Sequence, residues 1–181
     1  MSVLSLANLV TTNKLVAAEV AAAIARGASQ CVLLGSPPDA HHSVAAGASI
    51  QFFDGVAPET MATVLDKSGF DKLKATLFVW LGGAGVHTAE TAMSTLAFIA
   101  SLPKGSGVLL DYVAERSSIG SRTHSALDAL ASRIDVAGTF KYLIQPQAVA
   151  AMLRGFGFRQ ITDVAKEHGL LAGGHLVSAS I

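Results

Sequence analysis

The chain has 181 residues, which suits a single domain with a substantial core and needs no linker. Thirteen Lys and Arg balance thirteen Asp and Glu without any cationic cluster, which excludes the electrostatic footprint of a nucleic-acid binder. Charged residues make up only 14% and apolar ones 51%, so some apolar surface is expected to be covered by another copy of the chain in a homo-oligomer.

No apolar run reaches the roughly 18 residues that cross a bilayer. The N-terminal MSVLSLANLV carries no positive charge ahead of its apolar residues, so neither membrane contact nor a secretory signal is expected. Cys31 is the single cysteine, can form no internal disulfide, and sits inside an apolar run where it reads as an inert core residue; a reducing cytoplasm fits.

In chain order, Asn13 caps a predicted helix over 14–26, with Val16, Val20 and Ile24 on one face and Gly27 as its stop. QCVLLG, from Gln30, is a short continuous apolar run of the kind buried on both sides in parallel sheets, and gives the first strand. SIQFFDG, Ser49–Gly55, gives the second and ends near an acid; a helix over 58–68 then starts at Pro58 and is stopped by Gly69.

ATLFVWLGG gives the third strand, with Trp80 read as core. Thr88 caps the next helix, Glu90 lies in its first turn, and Met93, Leu96, Ala97 and Ala100 form an apolar stripe ahead of Pro103. SGVLLDYV, Ser106–Val113, is the fourth strand. The polar ERSSIGSRTHS leads to helices over 126–137 and 146–154, and GFGFRQITDV and GGHLVSASI supply the last two strands. This alternation specifies an α/β, Rossmann-like, doubly wound and mostly parallel sheet of about six strands, with an antiparallel C-terminal edge strand that follows from the short last connection.

Ligands in open α/β sheets sit beyond the carboxyl ends of the strands, so the residues after each strand carry the functional information. Here they are GSPPDAHH after the first strand, Asp54 on the second, Leu81, Gly82 and Gly83 after the third, and Asp111 and Tyr112 on the fourth. Gly35 supplies only one glycine to the first turn. Pro37 and Pro38 offer no amide hydrogens, so this turn does not wrap a pyrophosphate and a dinucleotide is a poor fit. A ligand without a pyrophosphate, such as S-adenosylmethionine, asks for fewer backbone donors. Asp54 lies 19 residues after Gly35, near the spacing of an acid that accepts from ribose hydroxyls, and the same residue also fits a plain role capping the turn at Gly55. Asp111 and Tyr112 fit either the acceptor side of such a site or a loop cap.

The run GFDKLKATLFVWLGGAGVHTAETAMSTLAFIASLPKGSGVLLDYV, Gly69–Val113, resembles the leucine carboxyl methyltransferase-like family, whose members carry a similar GFD…P-T-L-F…W-(E/L)-G…F-I-A-x-L-P-x-G-S-x-V…D-Y-V pattern. The likeness extends upstream to GASQCVLLGSPPDA and downstream through GTFKYLIQPQAVAAMLRGFGFRQITDV, covering nearly the whole chain. It implies a class I S-adenosylmethionine-dependent methyltransferase fold. By position it implies that Gly35, Ser36 and Asp39 form the glycine-loop signature, that Asp54 is the acid at the adenine end, and that Leu81 and Gly82 face the methionine part. The chain departs from that pattern in its double proline, in Val86 where the family has an aromatic residue, and in having only ten residues, Ala40–Ser49, between Asp39 and the next strand. By the same resemblance, the family's helical N-terminal region, and one strand with its helix, are expected to be absent.

No metal site is expected: His41 and His42 diverge as neighbours, and His87, His124, His168 and His175 show no ligand spacing. No G-x-S-x-G nucleophile elbow occurs. His87, at a helix entry near the expected pocket, is the candidate base. Two functions follow. One is S-adenosylmethionine-dependent O-methyl transfer to a small acceptor. The other is a catalytically degenerate methyltransferase fold that serves as an oligomeric binding or assembly module.

Overall fold

The computed structural model describes residues 3–35, 50–81, 88–113, 146–165 and 174–181. Helix α1 spans Val3–Ala25 and is followed by β1, Gln30–Leu34. Strand β2, Gln51–Val56, leads through one 3-10 turn at Pro58–Thr60 into α2, Met61–Lys67. Then come β3, Thr76–Trp80, α3, Ala89–Ala100, and β4, Gly107–Val113. The last described elements are α4, Pro146–Gly155, β5, Gln160–Ala165, and β6, Gly174–Ser180. The expected helix over 126–137 lies outside the described residues.

These strands form one sheet in the order β2-β1-β3-β4-β6-β5. The first four pair in parallel, and β6 runs antiparallel to both β4 and β5. The expected antiparallel pair therefore stands at one edge, with the C-terminal strand one place in and β5 outermost. Strand β5 is open to solvent along most of its length, as an edge strand is.

Side-chain alternation divides the core into two layers. Val32, Leu34, Phe78, Trp80, Val108, Leu110, Val177 and Ala179 face one side, where Leu65 of α2, Leu96 and Ile99 of α3, and Leu153 of α4 pack. Cys31, Leu33, Leu77, Val79, Leu109 and Leu176 face the other, under Val16, Val20 and Ala23 of α1. Strands buried on both faces read as unbroken apolar runs, which is why QCVLL and TLFVW are continuous. Trp80 is core, as the sequence suggests.

Three local expectations change. Asn13 does not cap α1: the helix begins at Val3, and Asn13 lies within its backbone. Thr11, Thr12 and Asn13 are weak helix formers, but propensity is a small term that the packing of the following apolar face outweighs. The buried face of α3 is carried by Leu96 and Ile99 with Thr95, whereas Met93 and Ala97 are exposed, so the stripe is rotated from the expected one. Strand β2 runs one residue past Gly55. Between Val32 and Leu34 of β1 it passes from Phe53 to Val56, an extra residue that makes a bulge at Asp54–Gly55. That shift of phase lets Phe53 and Val56 reach the same core layer. The Thr88 cap is as expected: its Oγ1 accepts from the Thr91 N–H at 3.2 Å.

Candidate functional site

The carboxyl ends of β1, β2 and β3 form the rim where the sequence locates its ligand residues. Leu34 pairs with Val56 on one side and Trp80 on the other, so Gly35, the end of β2 and Leu81 stand side by side. Gly35 leaves β1 at φ 60°, a left-handed conformation that favours glycine, and its N–H donates to the Val56 carbonyl at 3.1 Å. Among the described residues, no atom lies within 4 Å of where a Cβ would stand on Gly35. Leu81 is half-buried against the layer under α1. Asp54 belongs to the β2 bulge, a feature that re-aims backbone beside binding sites. Ser36, Asp39, Gly82, Gly83 and His87 lie outside the described residues, as does the side chain of Asp54.

A second group of side chains occupies the same end of the sheet on β4, β6 and β5. Tyr112 and His175 are register partners, and their rings stack with centroids 5.1 Å apart and planes at 28°. His175 Nδ1 lies 2.7 Å from Asp163 Oδ1, and the Tyr112 hydroxyl donates a short hydrogen bond to Asp163 Oδ2. The strands position all three on the face covered by α2, α3 and α4: Tyr112 follows Leu110, His175 precedes Val177, and Asp163 follows Ile161 by two residues. Burial, then the hydrogen bond to Asp163 and its negative charge, raise the Tyr112 phenol above its ordinary range, so it remains a donor. Asp111 alternates to the other face and is half-buried.

Asp163 and His175 were not among the sequence-derived candidates. Their pairing depends on the β5–β6 register, where Asp163 stands opposite Val177 and His175 opposite Ala165, a diagonal no local spacing reveals. One signal was present: an acid in the middle of QITDVA, in a strand where Asp is depleted.

Cys31 supplies no chemistry. It is fully buried, and burial pushes its thiol up to about 12. Among the described residues, no three His, Cys, Asp or Glu side chains gather in a metal-binding group. Nor is any described helix long and apolar enough to cross a membrane.

No family model matches the sequence, and no curated protein matches it. Solved structures do share its fold. A DUF574 family protein from Streptomyces avermitilis superposes with a TM-score of 0.62 at 14% identity, over 96% of this chain and 82% of that one. The mitomycin 7-O-methyltransferase MmcR gives 0.55 at 14% identity, over 90% and 53%. Human N-acetylserotonin methyltransferase, solved in complex with SAM, gives 0.53 at 15% identity, over 84% and 47%. The chain spans about half the length of the last two. The architecture is therefore the α/β Rossmann-like fold of class I methyltransferases.

Proposed function

We propose that the protein binds S-adenosylmethionine at the rim formed by β1, β2 and β3 and transfers its methyl group to an oxygen of a small acceptor. The observation that carries this reading is Gly35: a left-handed glycine leaving β1, with no atom of the described residues where its side chain would stand, at the point where the parallel order turns from β1 toward β2 and β3. A backbone so placed admits close approach of a ligand. Gly35, Ser36 and Asp39 would hold the amino-acid part, with Leu81 and Gly82 beside it, and Asp54 would bind the nucleoside. The cofactor supplies an electrophilic methyl group on a sulfonium. The protein's part is orientation of the acceptor and removal of its proton where the acceptor enters protonated. His87 is the base that the sequence nominates.

The resemblance of Gly69–Val113 to leucine carboxyl methyltransferase-like proteins supports a carboxylate or hydroxyl oxygen as acceptor. We further propose a cytoplasmic homo-oligomer, for which β2, outermost among the described strands at its end of the sheet, offers an edge to a second copy.

Calorimetric titration with S-adenosylmethionine, repeated on Asp54→Ala, tests the reading. Saturable binding that the substitution weakens supports it; no heat up to millimolar cofactor favours a binding module that retains only the fold.

A further inference from the structure

The carboxyl-end rim continues past the expected cofactor site. Trp80, Leu110 and Val177 share one row across β3, β4 and β6, and Tyr112 and His175 occupy the next row outward, where the parallel strands give way to their exit turns. Strand β6 lies two places from β3, roughly 10 Å at ordinary strand spacing. His175 therefore lies on the side of the rim away from the expected nucleoside end, where an acceptor would approach.

The hydrogen bonds orient the cluster around the Asp163 carboxylate. An ionised carboxylate only accepts hydrogen bonds. Asp163 takes the Tyr112 O–H on Oδ2 and the His175 Nδ1–H on Oδ1. A neutral imidazole bound this way carries its proton on Nδ1 and its lone pair on Nε2. Among the described residues no hydrogen-bond partner is found for Nε2, and the His175 side chain is 17% exposed, enough to meet a ligand and enclosed enough to be held still. Tyr112 stacks on the ring from one side and anchors the carboxylate from below.

We propose that His175, rather than His87, is the general base of methyl transfer, with Asp163 as its positioning residue; this rests on the function proposed above. Nε2 takes the proton of an acceptor hydroxyl while the oxygen lone pair forms a bond to the methyl carbon. The carbon–sulfur bond breaks with its electrons going to sulfur, which turns the sulfonium into the neutral thioether of S-adenosylhomocysteine. The imidazolium then releases its proton to solvent.

Base catalysis is needed only by an acceptor that arrives protonated, and this sets the experiment. Catechol and 4-nitrophenol are offered with radiolabelled S-adenosylmethionine at mildly alkaline pH, where catechol is largely protonated and 4-nitrophenol largely ionised. His175→Ala, His175→Gln and Asp163→Asn are compared with wild type, with cofactor binding and thermal unfolding measured on each. The expected result is a loss of roughly a hundred- to ten-thousand-fold for catechol, a loss at least about tenfold smaller for 4-nitrophenol, and unchanged cofactor binding. Equal losses for both phenols, or no loss, overturn the role of His175. So does a wild-type protein that binds the cofactor but methylates neither phenol. A wild-type protein that binds no S-adenosylmethionine instead overturns the functional reading beneath it.

Discussion

Gln30 and Asp71 close a two-way hydrogen bond at the amino end of the sheet: the Gln30 Nε2 donates to the Asp71 carbonyl at 2.9 Å, and its Oε1 accepts from the Asp71 N–H at 2.9 Å. Gln30 is wholly buried, and its Nε2 also donates to Thr76 Oγ1 at 3.0 Å, so β1, β3 and the turn before β3 are joined by one side chain. Gln30→Leu removes all three bonds and leaves the Asp71 N–H unpaired. A loss of about 1–3 kcal/mol is expected, measured as a lower midpoint in urea unfolding with an unchanged slope.

Gly107 begins β4 opposite Ser180, and a Cβ there would stand 2.6 Å from the Ala179 carbonyl oxygen. That oxygen belongs to the backbone of the neighbouring strand and cannot swing aside. Gly107→Ala should destabilise by about 1–3 kcal/mol and increase amide hydrogen exchange in β4 and β6 before other strands. Retention of wild-type protection in both strands would refute this account of the pairing.

Stability should fall at alkaline pH through Cys31. Its thiol is raised to about 12 in the folded protein from an ordinary value of 9.0. Below the ordinary value both states hold the proton and the contribution is neutral. Between the two values only the unfolded chain ionises, so stability declines by about 1.4 kcal/mol per pH unit. Tyr112, raised for the reasons given, adds a loss of the same sign once the unfolded phenol begins to ionise. Cys31→Ala should flatten the first part of the decline, and the wild-type thiol should resist thiol reagents until the chain unfolds.

Gly35 offers a test of the rim that is separable from the core. A Cβ there meets no atom of the described residues within 4 Å, but a valine takes a left-handed φ of 60° that a β-branched residue disfavours, and it adds bulk beside the β1 exit. Gly35→Val should cost about 1–3 kcal/mol of stability and abolish cofactor binding, while Gly35→Asn, which tolerates this φ, should restore stability more than binding.

The strands were legible because burial on both faces leaves an unbroken apolar run, and QCVLL, TLFVW and GVLLDYV could be little else. Thr88 was legible as a cap because its signal is local. The start of α1 was not, since Thr11 to Asn13 resemble a helix entry in composition and only tertiary packing continues the helix through them. The β2 bulge at Asp54 follows from the pairing with β1, which sequence spacing does not encode. The same holds for Asp163 and His175, 12 residues apart in sequence, whose contact arises from the pairing of β5 with β6 rather than from any motif. Gly35 and Leu81, by contrast, were found at the rim because each directly follows a recognisable strand.

The central claim is that the carboxyl-end rim holds S-adenosylmethionine, and equilibrium calorimetry of the wild-type protein tests it most directly. The account predicts saturable one-site binding that S-adenosylhomocysteine displaces and Gly35→Val eliminates. Heats no different from buffer dilution up to millimolar cofactor, in protein whose unfolding is cooperative, would contradict it.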